Sequence, residues 1–163
     1  EKFFNLAKIK EINDVNYMGT IHSINSVYEY FKNKKNGHIS IVSSVAGYRG
    51  LPNAGAYCAS KSALNSFAES LYFQLRPHNV DVSLVCPGFI KTPMTDQNDF
   101  PMPMIKSAEY AAEKIYDGII NKNSFEIHFP KGFTYLMKLI QLLPNWLYFG
   151  AINLGNKYMK RDK

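Results

Sequence analysis

The sequence predicts an α/β protein, the second half of a doubly wound parallel sheet followed by amphipathic C-terminal helices. Helical and strand-like segments alternate as helix, strand, helix, strand, helix, strand between residues 12 and 129. That order calls for right-handed crossovers onto a parallel sheet. Turn residues close the strand-like runs, and only three such runs are present where a doubly wound sheet has about six.

The first helix is read from Ile12 to Lys35. Val15, Met18, Ile21, Ile24, Val27, Tyr28 and Phe31 recur at three- and four-residue steps and make one apolar stripe. Its stop is Lys32-Asn33-Lys34-Lys35-Asn36-Gly37, with cations at the carboxyl end and glycine beyond. Ile39-Ser40-Ile41-Val42-Ser43 is a strand, rich in β-branched residues and too short for a helix. A glycine-containing loop, Ala46 to Asn53, leads to a helix over Tyr57 to Leu75, where Ala59, Ala63, Leu64, Phe67, Leu71 and Leu75 line one side. Val80 to Val85 is the second strand, closed by Pro87-Gly88. A helix from Ser107 to Ile120, with Ser107 as its cap, precedes the strand Phe125 to Phe129, which stops at Pro130.

Residues 133 to 152 are leucine- and aromatic-rich, but Lys138, Gln141, Pro144 and Asn145 interrupt them, so they do not form a membrane span of ~20 apolar residues. Two short amphipathic helices joined at Pro144 fit better. Packing over the sheet edge or substrate pocket is their leading use, ahead of an interfacial membrane helix and a protein contact surface. Residues 1–163 are thus read as a single truncated domain, with 131–163 covering the substrate side.

The 163 residues, 46% of them hydrophobic, suffice for one domain with a core. Most of the formal charge of +6 comes from residues 131 to 163, where Lys131, Lys138, Lys157, Lys160, Arg161 and Lys163 face only Asp162. Without zinc-finger spacing or an RNP-like run, nucleic acid is not the expected partner, and no metal site is assigned. Cys58 and Cys86 make no disulfide framework and read as small buried thiols. The first residues lack a signal-peptide pattern, and a cytoplasmic, or membrane-peripheral, location is expected. A start without methionine in helix-like sequence is read as the mark of a fragment.

Tyr57 and Lys61 stand four apart on one helix face, their Cβ atoms about 5 to 6 Å from each other. An ammonium beside a phenol favours the phenolate, which predicts a tyrosine pKa drawn down from its ordinary value. Ser44 follows a parallel strand at its carboxyl end, where open α/β sheets bind ligands. There its hydroxyl can polarise a substrate oxygen while Tyr57 transfers a proton. A serine ending a strand is more often a turn or cap, and a tyrosine with lysine at i+4 is more often surface decoration. Taken together, with the glycine-containing loop between them and Pro87-Gly88 after the next strand, they favour chemistry.

The composite resembles the short-chain dehydrogenase/reductase family. Ile41-Val42-Ser43-Ser44-Val45-Ala46-Gly47 is similar to its serine strand and loop, and Tyr57-Cys58-Ala59-Ser60-Lys61 to its Tyr-x-x-x-Lys motif, thirteen residues beyond Ser44. Val85 to Thr92 is similar to its Pro-Gly segment, and Asp14 to Gly19 to the motif whose asparagine completes a tetrad. The resemblance implies a Rossmann-like fold and a catalytic set of Asn16, Ser44, Tyr57 and Lys61. Tyr57 is then the acid/base, Lys61 assists it and holds the cofactor ribose, and Ser44 polarises the reacting oxygen, with Ser43 a less favoured choice. Asn16 is implied to bind a water that relays protons from Lys61. Tyr57, Lys61, Pro87, Gly88, Ile90 and Thr92 would contact NAD or NADP.

The implied reaction interconverts a secondary alcohol and a ketone, with a slight tilt toward a hydrophobic substrate. The family's Gly-x-x-x-Gly-x-Gly turn is absent from these 163 residues, so the choice between NAD and NADP is not legible. A noncatalytic, oligomerising remnant and a peripheral membrane-binding module are the alternatives. A sheet cut at its centre should leave a hydrophobic, unpaired edge. A homodimer is therefore expected, since the family commonly pairs through the helices corresponding to residues 12–35 and 56–76.

Overall fold

The computed structural model describes residues 4–121 and 124–159, with side chains described as far as Leu154. Helix begins six residues before the periodicity located it. Asn5 caps α1 (Leu6–Asn13) by accepting from the Lys8 amide at 3.2 Å. No residue of α1 is buried, so it has no core-facing stripe for a pattern to reveal. The chain then makes one π turn (Asp14–Met18) and continues as α2 (Gly19–Lys34). A π turn displaces carbonyls from the regular ladder, and the Thr20 hydroxyl donates to the Asn16 carbonyl at 2.8 Å. The left-handed residue ending α2 is Lys35, at φ 52°, and not a glycine. Gly37 is needed for another reason: a Cβ there would lie 2.3 Å from the Phe31 ring.

Three parallel strands, β1 (Gly37–Val42), β2 (Val80–Pro87) and β3 (Glu126–Phe129), lie in the order β1-β2-β3. Val42 pairs with Val85, and Cys86 with His128. Because side chains alternate across a strand, each face gathers its own core. Ile39, Ile41, Val82, Leu84 and Cys86 pack with Ile24 and with Leu64, Ala68, Leu71 and Leu75 of α3 (Gly55–Leu75). On the opposite face Val85, Ile127 and Phe129 meet Ala111 of α4 (Ala108–Asn121). Ser107 caps α4 as expected, accepting from the Tyr110 amide at 3.2 Å. Cys58 and Cys86 are buried free thiols.

Among the described residues no strand pairs with the outer edge of β1. A groove runs along that edge, between α2 and the strand. The expected hydrophobic edge is largely apolar, with Ile24, Ile39, Ile41 and Val42 along it, but it carries polar residues as well. Val27 and Phe31 line the groove beside Thr20, Ser23, His38 and Ser40. The polar strand residues are accommodated because Ser83 donates to Ser40 at 3.0 Å and lies 2.9 Å from His38 Nε2.

Beyond β3 come α5 (Lys131–Gln141) and α6 (Asn145–Met159), broken at Pro144 as the sequence predicts. Phe133, Thr134 and Met137 bury the inner side of α5. A Cβ on Gly88 would lie 2.8 Å from Phe133, so glycine at 88 lets α5 seat on the end of β2. Among the described residues no helix is long and apolar enough to cross a membrane. Of the basic residues counted at the C-terminus, Lys160, Arg161 and Lys163 lie outside the described residues, as does the Lys157 side chain.

Candidate active site

All three strands point their carboxyl ends the same way, which brings the segments after Val42 and Pro87 to one edge of the sheet. Ser43 and Ser44 leave β1 there and divide the work between them. Ser43 is 3% exposed. Its hydroxyl lies 3.0 Å from the Lys61 carbonyl and 2.5 Å from Asn65 Oδ1, fastening the strand end to α3. Gly47 permits the same close approach, since a Cβ there would sit 2.9 Å from the Lys61 backbone. Ser44 caps the short 3₁₀ turn Val45–Gly47 by accepting from the Ala46 amide at 3.1 Å, and its hydroxyl also reaches Tyr57. The cap role and the contact with the phenol therefore coexist.

Tyr57 and Lys61 project together from the first turns of α3, with Lys61 Nζ 5.8 Å from the tyrosine ring centroid. The expected lowering of the tyrosine pKa is not found. Burial raises Tyr57 above its ordinary value, and the opposing pull of the Ser44 hydrogen bond does not cancel it. The physical reason is where the ammonium goes. Lys61 donates to the Val42 carbonyl at 3.1 Å, and burial draws its own pKa down. Desolvation thus outweighs charge pairing at the phenol. Tyr57 is consequently a neutral phenol at neutral pH.

Asn16 reaches this turn from the π segment. Its Nδ2 donates to Ser60 Oγ at 3.1 Å, and Ser60 donates to the Tyr57 carbonyl at 2.8 Å. Tyr17 packs edge-on against Phe67, keeping the π turn on α3. The asparagine is thus tied to the Tyr57–Lys61 turn through Ser60, which is fully buried.

At the end of β2, Pro87 pairs with Phe129 and the Gly88 amide donates to the Phe129 carbonyl at 2.7 Å. Ile90 bridges to Lys106. The Thr92 amide donates to Thr95 Oγ1 at 2.9 Å, and that hydroxyl donates to the Ile90 carbonyl at 2.7 Å. These bonds fix the loop that follows the second strand.

Sequence reasoning passed over three residues that shape the site: Ser60, Asn65 and Arg49. Ser60 and Asn65 carry a helical-spacing signal, at i+3 from Tyr57 and i+4 from Lys61. Arg49 has no local signal, because its partners are more than 90 residues away. Its guanidinium donates to the carbonyls of Ile140 (2.9 Å), Gln141 (3.1 Å) and Leu143 (2.6 Å) and to Asn145 Oδ1 (2.7 Å). It also stacks on Tyr148, 4.1 Å from the ring centroid. The Tyr148 hydroxyl donates to the Gly50 carbonyl at 2.5 Å. The loop between Ser44 and Tyr57 is in this way tied to the turn joining α5 and α6.

Behind the strands, Glu126 accepts from Tyr48 and pairs with Lys138. Burial pushes the Glu126 carboxyl up, but those two partners hold it below the usual range. The nearby Cys86 thiol is pushed up to about 12, chiefly by burial, and is therefore not a nucleophile.

A short-chain dehydrogenase family model matches residues 1–101. An uncharacterized oxidoreductase of Myxococcus xanthus is 40% identical over 118 residues, which cover 72% of this chain and 46% of the relative. Human epidermal retinol dehydrogenase 2 is 35% identical over 115 residues, covering 67% and 37%. The chain spans about half the length, or less, of these curated relatives. Among solved structures, a short-chain dehydrogenase from Burkholderia cenocepacia in complex with NADP superposes with a TM-score of 0.76 at 24% identity, covering 88% of this chain and 58% of the other. One from Burkholderia phymatum in complex with NAD gives 0.68 at 25%, covering 78% and 55%. Since the family match extends over more than half of the sequence and takes in Asn16, Ser44, Tyr57, Lys61 and the Pro87-Gly88 turn, the chain belongs to the short-chain dehydrogenase family.

Proposed function

We propose that the site reduces a ketone to a secondary alcohol, with NAD(P)H as the hydride donor. The observation that carries this is the placement of Tyr57 and Lys61 together on the first turns of α3, with the Lys61 ammonium at the end of β1 where Ser44 begins the next turn. When bound, the cofactor supplies hydride to the carbonyl carbon. Tyr57 donates its proton to the carbonyl oxygen as negative charge develops there. Ser44 orients that oxygen by hydrogen bonding, while Lys61 offers an ammonium at the strand end that suits ribose hydroxyls. The donor set of a cation, a phenol and an alcohol fits the nicotinamide end of such a cofactor. Asn16 acts on the turn through Ser60, and a water held beside it would continue the relay to solvent. Pro87, Gly88, Ile90 and Thr92 border the same place. A hydrophobic carbonyl is favoured, in keeping with Phe89, Phe133 and Leu51 packed near the strand ends.

We further propose a homodimer through α2 and α3, whose solvent-facing sides carry Tyr30 (60% exposed) and Phe73 (70%). Sedimentation of the purified chain tests this, and a monomer at all concentrations sinks it.

The enzymatic reading is tested by calorimetric titration with NADH and NADPH, followed by turnover of a ketone panel. Saturable binding is expected, and Tyr57→Phe should retain that binding while losing at least about 100-fold in turnover. Absence of cofactor binding favours a noncatalytic remnant.

A further inference from the structure

Helix α5 is apolar on two sides. Phe133 and Met137 face the body of the protein, but Tyr135, Leu136 and Leu139 stand out from it at 58, 52 and 61% exposure. Leu142, just past the helix end, is 81% exposed, and Trp146 and Phe149 of α6 are 75 and 57% exposed. A surface helix ordinarily turns its charged side outward, and a contiguous exposed apolar patch marks an interaction surface.

Charge decides what that surface meets. Between Glu126 and Asp162 the sequence has no acidic residue, whereas it has Lys131, Lys157, Lys160 and Arg161, besides Lys138, whose charge Glu126 already pairs. Lys131 stands one turn before Tyr135, its ammonium 5.8 Å from that ring's centroid. Tryptophan and tyrosine belong to the residue types that settle at the headgroup level of a bilayer. A second copy would bring the same acid-free segment against itself, since a two-fold interface is isologous, and like charges would then face each other. An anionic lipid surface complements both the apolar stripe and the cations.

We infer that the α5–α6 segment docks the protein on an anionic lipid membrane, lying in the interface without crossing it. Arg49 makes the docking consequential, because it ties that segment to the loop running from Ser44 to Tyr57. The inference is independent of the enzymatic reading, since it concerns a surface whose binding needs no turnover.

Trp146 is the single tryptophan of the chain, so its fluorescence reports on this segment alone. The purified protein is mixed with vesicles of phosphatidylcholine, or of phosphatidylcholine with phosphatidylserine, then sedimented and its emission recorded. Binding to the phosphatidylserine vesicles with a blue-shifted emission is expected, weakened by high salt. Leu139→Gln with Leu142→Gln, both at exposed positions, should weaken binding at least tenfold without changing the circular dichroism spectrum. Trp146→Gln serves as an independent variant, read by sedimentation. Failure to bind either vesicle, equal binding to both, or binding untouched by these variants overturns the proposal. So does a solution dimer that the leucine variants dissociate while vesicles capture nothing, which assigns the face to a second copy.

Discussion

Helix α3 and the α5–α6 hairpin draw on similar residues, yet they dispose of apolar surface in opposite ways. In α3, Leu64, Ala68 and Leu75 are fully buried and Leu71 nearly so. In the hairpin, Leu142 and Trp146 are among the most exposed large hydrophobic side chains described. The first is held by the sheet beneath it, whereas the hairpin is held by Phe133 and Met137, by the polar pairs of β3 and by one arginine. A helix that uses its apolar stripe for the core can present polar chemistry at its start, as Tyr57 and Lys61 do. One with a second apolar side has surface to offer to another phase.

The largest effect should come from emptying the α3 core. Leu64→Ala is expected to cost about 2–5 kcal/mol through lost transfer energy and a cavity, read by urea unfolding. A cost no greater than that of a surface change would erase the contrast between the two regions. Next is Arg49→Ala, which removes charged donors from three carbonyls and Asn145 and should cost about 1.5–3 kcal/mol. Amide hydrogen exchange should quicken in α6 and stay slow in α3. Arg49→Lys should not restore protection, since a point charge cannot serve that fan of acceptors while stacking on Tyr148. Uniform loss of protection across the protein would mean that the hairpin is not separately held.

The hairpin's attachment to β3 should also respond to acid. His128 is buried beside Lys131, which lies 3.1 Å from Nε2, while Nδ1 lies 2.6 Å from Thr134 Oγ1. Burial first, then the charges of Lys138 and Lys131, push its pKa down to about 4. The unfolded chain therefore binds this proton more readily than the folded one. Stability contributed by neutral His128 is present above its ordinary value of 6.5 and falls as pH drops from there toward 4. About 2 kcal/mol should be lost between pH 7 and pH 5, and His128→Gln should flatten that slope in a pH series of unfolding curves. An unchanged slope would detach the histidine from the stability of this region. The smallest effect belongs to the exposed stripe: Leu136→Ala should shift unfolding by no more than about 0.5 kcal/mol.

Much of the site was legible in local spacing. Tyr57 and Lys61 share a face because the helical period puts them there, and Ser44 ends a strand that its β-branched residues announce. The π turn around Asn16 was not legible, because nothing in Asp14-Val15-Asn16-Tyr17-Met18 breaks a helical pattern. The turn is stabilised from outside, by Ser60 and by Tyr17 against Phe67. The Tyr57 pKa was misjudged for a related reason: the spacing brings a cation near, but burial and the Val42 carbonyl decide where that cation points.

Residue order and periodicity determined the alternation of elements, the polar set at the strand ends and the break at Pro144, since each depends on neighbours within a few positions. Only the tertiary structure decided what those elements leave exposed. The reach of Arg49 to the α5–α6 turn, the bond from Tyr48 to Glu126 and the uncovered side of α5 depend on how distant segments come together. What stays uncovered is a property of the assembled surface, and an apolar stripe read from spacing does not say whether a second one beside it is covered.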